Sequence, residues 1–236
     1  MDAGPTRVPL GRPDVGAAPT VVLASASPRR SELLARLGMV FDVRPADVDE
    51  AALPGEDPVD LVRRLALAKA EAGLGAAAEP DTVVLAADTV VVLDGAVLGK
   101  PMDDADAAAM LTRLSGRTHT VLTGVAVARR QDPTGGAAGP GSGGDAGDGP
   151  PAVLGSSSSV VLAVEATEVT MVELSRADIA WYVATGEPAD KAGAYGVQGV
   201  GAVFISSVRG SWDNVVGLPL ATTRRLLAEV GLDPVG

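Results

Sequence analysis

From Thr82 to Leu93 the chain reads Thr-Val-Val-Leu-Ala-Ala-Asp-Thr-Val-Val-Val-Leu, an almost unbroken apolar run closed by Asp94-Gly95. This run is rich in β-branched residues, so it predicts a strand covered on both faces. Val21–Ala24 is a shorter apolar run of the same kind. After it, Ser27 is a good N-cap and Pro28 a good first helical residue. With Leu33, Leu34 and Leu37 following, a helix is expected from there to near Gly38. Met39–Arg44 can form a second strand. Pro58–Leu74 reads as a long helix with Leu61, Leu65 and Ala68 on one stripe. Beyond the central run, the pattern predicts a helix over Asp103–Leu114, strands over Thr118–Ala128 and Val160–Val172, and a helix over Arg176–Ala184. A strand over Val200–Ser206 and a closing helix over Leu218–Val230 complete the order. No internal repeat is visible. Strands and helices in this order indicate an α/β protein with a mixed sheet.

Two stretches stand outside the pattern. Residues 1–19 mix Pro, Gly and charge and read as a disordered tail. Between Asp132 and Pro150, 11 of 19 residues are Gly or Pro, which no packed core could use. Together with the serine run Ser156–Ser159, they are expected to form a flexible insertion at about 131–159 between paired strands. The remainder, 20–236, is expected to be a single domain of two lobes.

Composition narrows the possibilities. The chain has 236 residues, 47% hydrophobic and 21% charged, enough for a real core. Aromatics make up only 3%, so that core must come mainly from Val, Leu and Ala. No apolar run approaches the roughly 20 residues of a membrane span, and the N-terminus lacks a secretory signal's apolar block. The absence of cysteine excludes disulfides and thiolate metal sites, and a cytoplasmic location is expected. A formal net charge of −11 argues against non-specific binding to nucleic acid or acidic membranes. It does not argue against a small phosphorylated ligand, which a few cations in one cleft can hold.

Four groups of residues could carry chemistry. Ser25-Ala26-Ser27-Pro28-Arg29-Arg30 places two serines and two arginines at a helix start just after a strand. Free N–H groups and the helix dipole attract an anion there, and arginine forks match phosphate oxygens. A capped surface helix with solvated arginines reads equally well. Asp88, in the middle of the apolar strand, must reach a cation, a metal or a water-filled cleft, because burying it unpaired costs several kcal/mol. A structural role, capping a nearby loop, is the other reading; Asp94 and Asp103 read as turn and cap residues. Lys69, Lys100 and Lys191 are the only lysines, each near a turn or an apolar stripe. For Lys69 taken by itself, a snorkelling stem is the favoured reading. Glu50 alone is an ordinary exposed acid, but beside Asp88 a second carboxylate lets a hard cation bind with water and phosphate completing its shell. Glu32 reads as structural. His119 has no partner His or Cys and reads as a strand-start hydrogen-bonding residue, so zinc chemistry and a Ser-His-Asp triad are not expected.

Six segments in one order resemble the Maf family of nucleotide pyrophosphatases, from Val21 to near the C-terminus. They are Leu23–Leu34, Ala87–Val91, Leu98–Pro101, Leu114–His119, Asp190–Gly199 and Asn214–Leu220. The resemblance implies the inosine-triphosphatase-like fold: an elongated mixed sheet, flanking helices, and two lobes around a central cleft. It also implies a homodimer and a divalent cation, magnesium or another such as manganese. By motif, Asp88 is the catalytic carboxylate, Glu50 shares the metal with it, and Lys69, Lys100 and Arg30 line the phosphate region. Ser25, Ser27 and Lys191 fall in substrate-binding segments, while Arg29, Thr89 and Gln198 match positions associated with base selection. The Ala-Tyr-Gly-Val-Gln-Gly stretch is similar to the branch acting on dTTP and UTP rather than 7-methyl-GTP. Trp212, where the family often has Tyr, and the long insertion depart from the pattern without touching the charged set. The implied reaction releases a nucleoside monophosphate and pyrophosphate. A phosphatase releasing inorganic phosphate, or a nucleotide-binding regulator of septum formation without turnover, would use the same binding residues.

Overall fold

The structure is a computed structural model that describes residues 19–130 and 158–234. Most of the expected tail and residues 131–157 of the expected insertion lie outside the described residues. Ser158 and Ser159, assigned to that insertion from sequence, instead begin a strand.

The apolar run is the centre of the molecule. It forms β3 (Thr82–Leu93), flanked on one side along nearly its whole length by antiparallel β5 (Thr118–Arg130). Its other side is shared. β1 (Thr20–Leu23) pairs parallel with its first residues, up to Leu23 opposite Leu85. The hairpin strand β4 (Ala96–Leu98) pairs with its last residues, from Leu98 opposite Val91. Between Leu85 and Val91 that edge of β3 therefore has no neighbouring strand, and the gap opens in the middle of the sheet. Asp88 lies in it.

The rest of the sheet builds outward in the order β2-β1-β3-β5-β6-β7. β2 is Asp42–Val43 at one edge, a fraction of the expected Met39–Arg44. β6 (Ser158–Met171) pairs with β5 from end to end, and β7 (Ile205–Arg209) closes the other edge. The β3–β4 turn places Asp94 at φ 54° and Gly95 at φ 77°, the left-handed pair that a two-residue hairpin requires.

Side-chain alternation assigns each face of β3 a partner. Val84, Ala86 and Val90 pack under helix α2 (Pro58–Ala76), whose buried positions are Leu61, Val62, Leu65, Ala66, Lys69 and Ala70. Ala68, expected on the buried stripe, is only half-buried beside it. Val83, Leu85 and Ala87 face Leu33 and Leu34 of α1 (Pro28–Ala35) and Leu226 and Leu227 of the closing helix α6 (Leu220–Glu229). Val91 and Leu93 enter a separate core with α3 (Asp104–Leu114) and α4 (Arg176–Ala184). These cores form the two lobes, and the gap in the sheet lies between them.

Two expectations are corrected. Val200–Phe204 is a 3-10 turn and not a strand; the strand starts at Ile205. The backbone N–H groups of Val200 and Gly201 are drawn to the Glu187 carboxylate, at 2.7 and 3.1 Å, and so cannot join a ladder. A five-residue helix, α5 (Trp212–Val216), precedes α6 and was not expected. It is capped by Ser211 and ended by Gly217 at φ 120°, too short to show periodicity.

Candidate active site

β1 ends at the gap, and Ser25–Ser27 turn the chain into α1. This brings Ser25, Ser27, Arg29 and Arg30 to one wall of a cleft of about 680 Å³. Lys69, Asp88 and Thr89 line its base. Glu50, Lys100, Lys191 and Gln198 come to it from loops of both lobes. Every residue singled out from the sequence as a candidate thus faces one cavity.

At the base, Asp88 points from β3 toward α2 and is buried. Its partner is the Lys69 ammonium, with Nζ 2.7 Å from Asp88 Oδ1. The snorkelling expected for Lys69 is therefore corrected: its ammonium is drawn inward because an anion is buried there, and the residue is 7% exposed. The same ammonium reaches Glu50 Oε1 at 2.5 Å, so the two carboxylates converge on one cation. The Lys69 hydrogen bond holds the Glu50 carboxyl below its ordinary pKa, against partial burial; Lys100 and Arg30 act in the same direction. Lys100 itself is exposed and makes no hydrogen bond or ion pair among the described residues, so its charge is available to a ligand.

Arg30 closes the exposed edge of β3. Its Nη1 donates to the Ala87 carbonyl at 2.7 Å and to Ser25 Oγ at 3.1 Å. Nε reaches the Gly217 carbonyl at 2.8 Å, and Nη2 reaches Thr89 Oγ1 at 3.0 Å. The gap would otherwise leave the Ala87 carbonyl without a ladder partner. Burial lowers the pKa of this guanidinium; Asp88 and Glu50 oppose the shift and Arg29 adds to it, and the group stays charged throughout. Ser27 sits at the N-cap of α1 but its hydroxyl makes no capping bond; its backbone N–H turns to Ser25 Oγ at 3.3 Å instead. The Ser27 hydroxyl has no hydrogen-bond partner among the described residues and lines the cleft, where it can meet a ligand.

Across the cleft mouth, Arg29 Nη1 pairs with Asp190 Oδ2 at 3.0 Å, tying α1 to the opposite lobe. Lys191 Nζ binds the other Asp190 oxygen at 2.7 Å and the Glu187 carbonyl at 2.6 Å. Against some burial, these two cations hold Asp190 below its ordinary pKa. The segment carrying Gln198 is shaped by Glu187, which accepts from the Tyr182 hydroxyl at 2.8 Å and from the two backbone N–H groups already named. Gln198 is exposed at the tip of that segment.

Comparison with known proteins places the chain in a family. The family profile described as "Maf-like protein" matches residues 20–230. The chain belongs to the Maf-like family. Among relatives of this Maf-like chain, the dTTP/UTP pyrophosphatase of Anaeromyxobacter dehalogenans (strain 2CP-C) is 52% identical over 214 residues, covering 91% of the chain and 95% of the relative. The proteins of that name from Moorella thermoacetica and Symbiobacterium thermophilum are 48% and 46% identical, covering 92% and 89% of the chain and 97% and 94% of the relatives. A solved nucleoside-triphosphatase / dITP/XTP pyrophosphatase from Mycobacterium abscessus is 14% identical, covers 89% of the chain and 97% of its own, and superposes with a TM-score of 0.34, too loosely to bear on the fold.

In this Maf-like protein several structural contributors to the site escaped the sequence reading. Glu187 and Tyr182 hold the Gln198 segment, yet each reads as an ordinary surface or core residue. Thr123 and Gly124 interrupt the apolar strand β5 directly opposite Thr89 and Asp88. That interruption was the available signal. Asn214, 0% exposed, binds the Val121 carbonyl at 3.1 Å and Thr167 Oγ1 at 2.9 Å, fixing α5 against the sheet. His119, also buried, lies 2.6 Å through Nε2 from the Tyr195 hydroxyl, a hydrogen-bonding residue at the start of β5.

Proposed function

We propose that the protein hydrolyses nucleoside triphosphates, dTTP and UTP foremost, to the monophosphate and pyrophosphate. The observation that carries this reading is the Asp88–Lys69–Glu50 cluster set in a gap of the central sheet, below a cleft rimmed by Lys100, Arg29, Arg30 and Lys191. The names of the relatives support the same substrates.

The α-phosphorus is shielded by anionic oxygens, so attack by water needs charge neutralised and the nucleophile aligned opposite the leaving pyrophosphate. Lys100 and the free N–H of Arg30 gather negative charge as the bond to the leaving group breaks. The Ser27 hydroxyl and the start of α1 bind and orient phosphate oxygens. Asp88 is fixed by Lys69 and orients the attacking water or takes its proton. Glu50 and Asp88 would hold a magnesium or manganese ion. Their oxygens are the hard donors such ions take, both reach one ammonium, and no third His, Cys, Asp or Glu joins them among the described residues. Phosphate and water oxygens would then fill the shell. When bound, such an ion neutralises phosphate charge and lowers the pKa of its water.

Modified pyrimidine nucleotides fall in the same substrate class. Lack of cysteine is consistent with a reducing compartment, and we read the protein as a cytoplasmic homodimer, the dimer resting on the family resemblance. Among the described residues no helix is long and apolar enough to cross a membrane.

Asp88→Asn tests the assignment. The amide keeps an oxygen acceptor for Lys69, so the protein should fold normally while turnover falls by about 10²–10⁴-fold. Near-normal turnover by the folded variant would overturn the role given to Asp88.

A further inference from the structure

The segment Gly196–Gly201 contributes Gly196, Val197, Gln198 and Gly199 to the lining of the cleft. Gln198, exposed at its tip, makes no hydrogen bond among the described residues, so the two ends of the segment set its place. Both ends run to one carboxylate. At the far end the Val200 N–H donates to Glu187 Oε2 at 2.7 Å, and the Gly201 N–H donates to Oε1 at 3.1 Å. At the near end the Gly196 N–H donates to the Tyr182 hydroxyl at 3.1 Å. Having received that proton donor, the hydroxyl turns its own proton to Glu187 Oε1 at 2.8 Å. A carboxylate suits this place because it only accepts, and its charge strengthens each bond. The approach is close: a Cβ at Gly199 would overlap the Glu187 carboxylate, and one at Gly201 the Tyr182 hydroxyl. Neither Glu187 nor Tyr182 lines the cleft. Neither bonds to Asp88, Lys69 or Glu50.

We propose that Glu187, with Tyr182 as its relay, is a positioning residue for nucleotide binding: it clamps both ends of the Gly196–Gly201 segment and so fixes one wall of the cleft. This rests on the nucleoside triphosphate reading. The clamp shares no bond with the Asp88 cluster, so its loss weakens ground state and transition state alike and is read in KM, not in kcat. The disturbance also stops short of Lys100. The Gly193 N–H holds the Gly99 carbonyl at 3.0 Å, and Ala194 and Tyr195 are buried. Val197 packs against both cores, which keeps the segment attached when its ends loosen.

The test measures kcat and KM for dTTP and UTP in the wild-type protein, Glu187→Gln and Tyr182→Phe. A carboxamide has one oxygen, so whichever way it turns, its NH2 group faces the N–H of Val200 or of Gly201. Tyr182→Phe keeps the ring and removes the acceptor of the Gly196 N–H, loosening the opposite end. Each variant should raise KM by about tenfold, while kcat per folded molecule stays within about twofold of wild type. A merely structural role would lower the folded fraction and leave the KM of the remainder unchanged, which overturns the proposal. Loss of kcat at unchanged KM overturns it too. If Glu187→Gln does not fold, Tyr182→Phe decides by the same readout. No turnover of any nucleoside triphosphate by the wild-type protein would instead strike the proposed function itself.

Discussion

The Lys69 ammonium lies 2.7 Å from the Asp88 carboxylate, with side chains only 8% and 11% exposed. Such a pair, removed from water, is strongly interdependent: deleting one partner leaves the other as an uncompensated buried charge. Lys100, in the same cleft, is exposed and unpartnered among the described residues. The two lysines should therefore separate in mutagenesis. Lys69→Met should cost about 3 kcal/mol of stability as well as activity, lowering Tm by roughly 6–12 °C. Lys100→Met should cost activity by one or two orders of magnitude with stability changed by less than about 0.5 kcal/mol. Thermal melts beside steady-state kinetics read both. Equal Tm losses in the two variants would contradict the assignment.

Gly124 sets the distance between the sheet and α2. It stands opposite Asp88 in the register, and a Cβ there would overlap the Val62 carbonyl of α2. Backbone obstructs the space, so the helix itself must shift. Gly124→Ala should cost about 1–3 kcal/mol and reduce kcat by displacing Lys69 from Asp88, although the substituted residue meets no substrate. Urea melts and kinetics on the same preparation check it; unchanged kcat would show that α2 can move without disturbing the pair.

His119 gives a pH dependence with a definite sign. Burial lowers its pKa from 6.5 to about 4, so the native state holds it neutral while the unfolded chain titrates normally. The unfolded state therefore binds the extra proton first as pH falls. Stability is full above about pH 6.5 and declines by about 3 kcal/mol as the pH falls to about 4. Glu56 and Glu79, held at about 2 by Arg64 and Arg44, overlap only the acid end of that window, since their contribution is lost as pH falls from 4.5 toward 2. Denaturant melts between pH 8 and 4 should show the decline in wild type and a flatter profile in His119→Phe. Parallel profiles would contradict it.

How far the sequence disclosed this molecule follows from the length scale of each signal. β3 was legible because twelve consecutive residues satisfy one pattern, and Asp88 stood out because a charge breaks that pattern. α1, α2, α3 and α4 carried caps and apolar spacing over two turns or more. β4 and α5 span three and five residues, less than either periodicity needs. Val200–Phe204 looked like a strand by composition, but the Glu187 carboxylate, distant in sequence, captures its N–H groups. The charged members of the site were visible as residues in unfavourable or unusual places. Thr123, Asn214 and Glu187 were not, because their importance lies in which atoms they bond, and such bonds join residues many positions apart.

The most direct test is to identify the products when purified protein is incubated with magnesium and dTTP, UTP, CTP, GTP or 7-methyl-GTP, resolving phosphate species by phosphorus NMR. Monophosphate and pyrophosphate from dTTP and UTP, in equal amounts, are predicted. Diphosphate and inorganic phosphate would contradict the account, as would tight nucleotide binding without any turnover.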